Sequence, residues 1–213
     1  DFLAVNIASF SAALVRNGSP EWAARVIVGK PYRETPMFRS EITYLVVNPT
    51  WTVPPTIFRE DVLPKVKRDP SYLARNKLEL FDRSGQKVSP AGIDWGGVSA
   101  KAFPYQIVQP PGKKNPLGRV KFMFPNRHQV YLHDTPDKSL FDRPARTFSS
   151  GCIRIEKPLD LAERLLAADP QWTRPAIERL WQSTKTKTVF LAQPVPLLLL
   201  YWTVEGDAEG GVR

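Results

Sequence analysis

Phe148-Ser149-Ser150-Gly151-Cys152-Ile153-Arg154 holds the single cysteine of the chain, and Tyr131-Leu132-His133-Asp134-Thr135-Pro136 holds one of its two histidines. A lone thiol among small residues, with an imidazole nineteen positions upstream, reads as a nucleophile and its base. Thiol chemistry runs through the thiolate, and a nearby imidazole or other cation is the usual route to it near neutral pH. Free cysteine is also among the most buried residue types and often serves as a small hydrophobe. Three local features favour the nucleophile. Ser149, Ser150 and Gly151 carry no apolar bulk, so the approach to Cys152 is unlike a core strand. Gly151 permits a positive φ and close approach of a substrate. Arg146 and Arg154 bring positive charge that favours a thiolate and attracts an anion.

Outward from this pair, the chain reads as strands and shaped loops. Its 213 residues fit one domain with room for a small insertion. Twenty-one prolines, about twice the usual share, together with many β-branched and aromatic residues, argue against a helical bundle. Residues 120–124 and 129–133 are predicted strands. Alternation in the second puts His133 beside Tyr131 at a strand end, opposite Val130 and Leu132. Residues 158–168 form the clearest predicted helix, with Pro158 in the first turn and Leu159, Ala162, Leu165 and Leu166 on one face. Residues 175–182 predict a second.

Residues 2–7 and 23–29 also read as strands, with a strong turn signal between them at Asn17-Gly18-Ser19-Pro20. A further strand over 41–47 ends where the prolines of residues 48–55 stop regular pairing. Residues 56–103 are charged and irregular, with short helices near 58–66 and 71–75, and read as an insertion able to cover a site. Residues 189–204 are strongly apolar but broken by Gln193, Pro194 and Pro196. They are too short for a comfortable membrane span and read as buried strand. A turn-rich stretch then leads to Val212-Arg213, the start of a returning strand.

The net charge of +9 points to an anionic partner without naming it. Between residues 95 and 133 stand Lys101, Lys113, Lys114, Arg119, Lys121 and Arg127 with no acidic residue among them. Such a stretch suits nucleic acid in principle, but no recognisable binding motif accompanies it, and a carboxylate-rich substrate fits as well. One cysteine excludes an internal disulfide, and one cysteine with two histidines offers few metal ligands at recognised spacing. The chain begins at Asp1 without a charged-then-apolar leader, as a fragment or processed form does.

The His133 region, the Cys152 segment and their spacing resemble the active-site signature of YkuD-type L,D-transpeptidase catalytic domains, bacterial enzymes that cross-link peptidoglycan. The resemblance covers nearly the whole chain. Arg25-Val26-Ile27-Val28-Gly29-Lys30, Asn48-Pro49-Thr50-Trp51, Pro111-Gly112, Asn115-Pro116-Leu117-Gly118 and Lys121-Phe122 resemble the large Gram-negative, YcbB-like branch. That branch carries a capping subdomain where this chain becomes charged and irregular. The resemblance therefore implies an α+β, mainly β fold: a sandwich of mixed sheets with a few short helices. One catalytic domain spans 1–213, with the cap inserted at 56–103.

The resemblance also implies the chemistry. His133, oriented by the Asp134 backbone carbonyl, takes the Cys152 proton, and the thiolate attacks a tetrapeptide stem and releases D-Ala. The backbone N–H groups around Ser150, Gly151 and Cys152 hold the oxyanion, and an acceptor amine resolves the thioester into a 3→3 cross-link. Arg154 is the choice for a stem carboxylate, or forms a structural salt bridge. Tyr131 and Trp51 wall the site or pack in the core. Asn115 contacts substrate amides or stabilises its turn, and Ser149 donates hydrogen bonds or is simply small. Implied partners are donor and acceptor stems and carbapenem inhibitors, with no cofactor, metal, nucleic acid or integral membrane segment. The implied setting is the periplasm, in cell-wall synthesis and cell shape.

Most members carry histidine immediately before the Gly-Cys pair, where this chain has Ser150. His133 is then the base, since His128 falls on the preceding loop as a surface or packing residue. An L,D-carboxypeptidase or cysteine amidase using the same dyad, and an idle peptidoglycan-binding module, are the alternatives.

Overall fold

Asn17 and Gly18 both take positive φ, 50° and 74°, the backbone of a tight turn whose twist matches that of the strands it joins. It links β2 (Ser11–Arg16) to β3 (Ser19–Gly29), and β2 also pairs antiparallel with β1 (Phe2–Asn6). Residues 11–16 were not among the predicted strands; alternate burial of Ala12 and Leu14 makes them one. The computed structural model describes residues 1–204, so the strand expected at Val212-Arg213 lies outside the described residues.

The chain continues through β4 (Phe38–Val47), β5 (Trp51–Thr52), α1 (Pro55–Ile57), a π-helical turn (Phe58–Val62), α2 (Leu63–Arg68) and α3 (Ser71–Arg75). Then come β6 (Glu79–Phe81), β7 (Lys87–Val88), β8 (Gln106–Gln109), β9 (Val120–Met123), β10 (Leu132–His133), β11 (Thr147–Ser149) and β12 (Ile153–Ile155). Helices α4 (Pro158–Leu166) and α5 (Arg174–Gln182) precede β13 (Lys187–Leu200). The fold is mainly β, with mixed sheets and a few short helices.

The larger sheet runs β11-β3-β12-β10-β9-β4-β13-β1-β2, and β2 pairs back onto β3. Eight strands therefore form a closed circuit, with β11 branching from β3. Strand β3 makes the closure: residues 19–25 pair with β2, then Val26 and Ile27 pair with β12. The pairs β1–β13, β10–β12 and β3–β11 are parallel and the others antiparallel. Leu3, Val5, Leu45, Phe122, Leu132 and Ile153 fill the interior, and α4 lays Leu161, Ala162, Leu165 and Leu166 on it. Leu161, not the expected Leu159, is the fully enclosed leucine of the first helical turn.

Two expected strands differ in extent. Only Leu132 and His133 of residues 129–133 join the sheet, because Gln129 adopts φ 56°. Strand β13 is not uniformly buried: its register slips between Phe190 and Val195, around Pro194, and Phe190 is exposed. Proline lacks the N–H a regular ladder needs, so the slip is where it can be housed. Among the described residues no helix is long and apolar enough to cross a membrane.

A second sheet, β5-β8-β6-β7, encloses a separate apolar cluster that includes Phe58, Val66, Leu73, Leu80, Trp95 and Ile107. Phe103 stacks on Phe58 with ring centroids 4.5 Å apart. This small lobe draws on Trp51 through Gln109 and contains β6 and β7, so it is wider and more regular than the insertion read from composition.

Candidate active site

Three neighbouring strands set the site. Lys121 of β9 pairs with His133 of β10, and His133 pairs with Arg154 of β12. The Ile153 N–H donates to the Tyr131 carbonyl at 3.0 Å, which brings Cys152 level with Tyr131. Side chains two apart on a strand share a face. Tyr131 and His133 therefore stand beside Cys152 and Arg154, and their two rings meet edge to face at 5.7 Å. All of them, with Lys121, line one cavity of about 1010 Å³ between the main sheet and the small lobe.

His133 is buried, and its Nδ1–H donates to the Asp134 carbonyl at 2.5 Å. That contact fixes the tautomer and leaves Nε2 as the acceptor. Burial first, then the Arg154 charge, pushes the imidazole pKa down to about 3, so the ring is neutral. Asp134 is itself held. Its carboxylate accepts from the Arg119 N–H at 2.8 Å and pairs with Lys138 at 2.5 Å. Gly118, at φ 61°, leaves room for it: a Cβ there would lie 2.3 Å from Asp134 Oδ2.

The loop that carries Cys152 is pinned from both ends. Ser149 Oγ donates to the Cys152 carbonyl at 2.5 Å and accepts from the Gly151 N–H at 3.1 Å. Thr35 Oγ1 donates to the Gly151 carbonyl at 2.8 Å and accepts from the Gly29 N–H at 2.9 Å. Gly151 takes φ 112°, a region that favours glycine. Burial pushes the Cys152 thiol up, against smaller lowering effects from Tyr131, Arg154 and Lys121. A raised thiol and a depressed imidazole make both groups neutral in the resting site.

The family model described as the L,D-transpeptidase catalytic domain, YkuD, matches residues 1–189. The chain belongs to this family. A Haemophilus influenzae protein named "Putative L,D-transpeptidase" is 40% identical over 199 residues, covering 93% of this chain and 40% of that protein. The chain thus spans about two fifths of the length of that curated relative. Among solved structures, L,D-transpeptidase 3 from Mycobacterium tuberculosis superposes with TM-score 0.42 at 9% identity, covering 93% of this chain and 60% of that one. An L,D-transpeptidase from Mycobacterium smegmatis gives 0.39 at 12%, covering 93% and 57%.

Within this L,D-transpeptidase domain, several residues lie elsewhere than the sequence suggested. The Gly151 N–H is occupied by Ser149 Oγ, so it does not face the cavity as an oxyanion donor. Among the described residues the Ser150 and Cys152 amides donate to no protein acceptor. Ser149 is buried at the cavity wall, and its hydroxyl is engaged inside the loop by the Cys152 carbonyl and the Gly151 N–H. Asn115 is buried beneath the site: its amide donates to the Pro49 carbonyl at 2.9 Å and its oxygen accepts from the Leu117 N–H. It stabilises a turn and does not line the cavity. Arg146 donates to the carbonyls of Val26, Phe10 and Arg143 and stacks on Phe10, so its charge is not directed at the thiol.

Trp51 and Tyr131 both line the cavity. Burial, then Cys152, raises the Tyr131 phenol well above its ordinary value, leaving it a neutral hydroxyl against the sulfur. Arg154 is held loosely: Asp137 is 3.5 Å away, and its buried Nε has no partner among the described residues. His128 packs its ring against Phe38, tilted by 31° at a centroid distance of 5.3 Å, and lines the cavity.

The cleft is cationic. Lys30, Arg33, Lys65, Lys121 and Arg154 line it against Glu34 and Asp61. Lys30, Lys65 and Lys121 lie over Tyr32, Tyr72 and Tyr131 at 5.8, 5.5 and 5.5 Å. Among the described residues no carboxylate pairs with any of these three. Sequence reading missed Arg33 and Thr35. The available signal was the polar loop Lys30-Pro31-Tyr32-Arg33-Glu34-Thr35-Pro36 directly after a strand, where site residues often gather.

Proposed function

We propose that this chain is the acyl-transferring domain of a peptidoglycan L,D-transpeptidase that makes 3→3 cross-links through a Cys152 thioester. The observation that carries this reading is the shared strand face of Cys152, His133, Tyr131 and Arg154 opening into one cationic cleft.

In the first step Nε2 of His133 takes the thiol proton as sulfur attacks the carbonyl joining the L-centre of the diamino acid to terminal D-Ala. The Ser150 and Cys152 amides receive the developing oxyanion, where preorganised donors act most strongly. Collapse breaks the C–N bond, and the His133 proton passes to the departing D-Ala amine. The stem remains on sulfur as a thioester. An acceptor side-chain amine then attacks, His133 takes its proton, and that proton returns to sulfur as the cross-link forms.

Arg154 and Lys121 supply positive charge for stem carboxylates, and the guanidinium offers a planar fork. Trp51 brings the small lobe to the cleft wall, which supports reading the lobe as a capping subdomain of the YcbB-like branch. In this reading the chain works in the periplasm of a Gram-negative cell, on stem peptides and not nucleic acid. Carbapenems acylate Cys152 as substrate mimics.

Tetrapeptide stems incubated with the purified chain and with Cys152→Ala, followed by mass spectrometry, test the proposal. Wild type is expected to yield dimers lacking one D-Ala, and the variant none. Tripeptide monomers alone would assign the carboxypeptidase reaction instead, and dimers from the variant would remove Cys152 as nucleophile.

A further inference from the structure

We propose that Arg33 is a positioning residue for acyl transfer, aligning the loop that carries Ser150 and Cys152 against the π-helical turn of the small lobe. The proposal rests on the transpeptidase reading above and adds a residue and a coupling to it.

Arg33 joins three elements distant in sequence. Its Nη1 donates to Asp61 Oδ2 at 2.9 Å and to Ser150 Oγ at 2.8 Å, and its Nη2 bonds Glu60. Asp61 and Glu60 stand on the π-helical turn, and Ser150 is two residues from the nucleophile. The guanidinium side chain is 10% exposed, whereas the two carboxylates are about 40% exposed, so the cation sits inside the joint and the anions at its edge.

The two carboxylates satisfy the Arg33 charge, which sets it apart from Lys30, Lys65 and Lys121. Its contacts reach protein on both sides of the cleft, so its role is to hold the walls in register. A planar fork can meet three acceptors in fixed directions; an ammonium on a flexible stem cannot reproduce that arrangement. Ser150 matters because its amide is one of the two loop N–H groups that donate to no protein acceptor among the described residues, and so one of the two that the proposed function assigns to the oxyanion. When Arg33 fixes the Ser150 side chain, it fixes the peptide whose N–H must meet the developing charge. A small-lobe displacement is thereby transmitted to the reacting centre.

The loop around Arg33 has anchors of its own. The Lys30 N–H donates to the Ser149 carbonyl at 3.1 Å, and Thr35 holds Gly151. A Cβ on Gly29 would fall 2.1 Å from the Arg33 carbonyl oxygen, so the loop backbone lies directly against the end of β3. The Arg33 side chain can therefore be removed while the backbone path remains anchored.

The test compares Arg33→Ala, Arg33→Lys, Asp61→Asn and the Arg33→Ala/Asp61→Asn pair with wild type. Two reactions of Cys152 are timed: acylation by imipenem, which needs the oxyanion geometry, and alkylation by iodoacetamide, which does not. Arg33→Ala is expected to slow acylation about 10-fold or more while alkylation changes less than about 2-fold. Arg33→Lys is not expected to restore the rate, and the double variant should lose little beyond Arg33→Ala, since the Arg33–Asp61 contact that Asp61→Asn weakens is already gone in Arg33→Ala. Wild-type acylation by Arg33→Ala, or equal slowing of both reactions, overturns the proposal.

Hydrogen–deuterium exchange supplies a readout independent of turnover. Arg33→Ala is expected to speed exchange in residues 58–62 and 148–152 together. Acceleration in one segment alone, or in neither, refutes the coupling. Failure of wild type to take up imipenem would count against the transpeptidase reading, while the exchange measurement would still decide the role of Arg33.

Discussion

A base is useful where it is unprotonated, and His133, the base of the proposed reaction, is kept so by its surroundings. Burial and the Arg154 charge hold its pKa down near about 3, far from the ordinary 6.5. The acid limb of carbapenem acylation is therefore expected well below pH 6.5, with no inflection at the usual histidine value. Lys121→Met removes one of the lowering cations and should move that limb upward; stopped-flow rates across pH 3–8 would show an unmoved limb if Lys121 plays no part. Linkage adds a stability consequence. Folded His133 binds its proton more weakly than the unfolded chain does, so its contribution is complete above pH 6.5 and lost as pH falls below it. His133→Asn should flatten the fall in denaturant midpoint between pH 6.5 and 5; an unchanged fall would assign it to other groups. At this scale Cys152 and His133 stood out in the sequence because their signal is local, a lone thiol, small neighbours and an imidazole at a strand end, and the structure brings both to one cavity. Arg146 misled because nearness along the chain is not nearness in space, and Arg33 stayed hidden because its partners are 27, 28 and 117 positions away.

Two glycines separate backbone strain from close packing at the level of elements. Gly18, at φ 74°, has open space around it, so Gly18→Ala should cost about 1 kcal/mol of stability and leave acylation unchanged. Gly118 combines φ 61° with the Asp134 carboxylate at 2.3 Å from a would-be Cβ. Gly118→Ala should destabilise by about 2 kcal/mol or more and also slow acylation, because the displaced residue is the one whose carbonyl orients His133. Urea titration with acylation rates checks both; equal effects would mean that the Asp134 contact has no catalytic consequence. The hairpin turn at Asn17-Gly18 and helices α4 and α5 were readable because turn chemistry and helical periodicity are short-range signals. Strands β6 and β7, of three and two residues, are too brief to show a period. The shortening of β10 follows from one residue, Gln129, whose left-handed backbone composition does not announce.

For the molecule as a whole, Lys30, Lys65 and Lys121 bring to the cleft positive charge that no carboxylate pairs among the described residues, and in the proposed function it meets a substrate rich in carboxylates. Raising salt from 50 to 500 mM should therefore raise KM for tetrapeptide stems several-fold with little change in kcat, because screening acts on encounter and binding. A salt-independent KM would mean that the lysines serve the tyrosines they cover and not the substrate. Composition revealed a mainly β chain with a charged interruption, but the extent of the small lobe depends on Trp51 and Gln109, which pair from outside the predicted insertion. The circuit of strands was invisible for a related reason. Its closure depends on partners such as Leu3 and Leu197, and no local pattern marks which strand will receive which. That pairing also orders events on the ribosome. Strand β1 is made early, yet one of its two neighbours is β13, so the barrel circuit cannot close until synthesis has passed residue 197. His133 and Cys152 have both emerged by then, and the thiol exists for a time in a chain whose sheet still has an open seam.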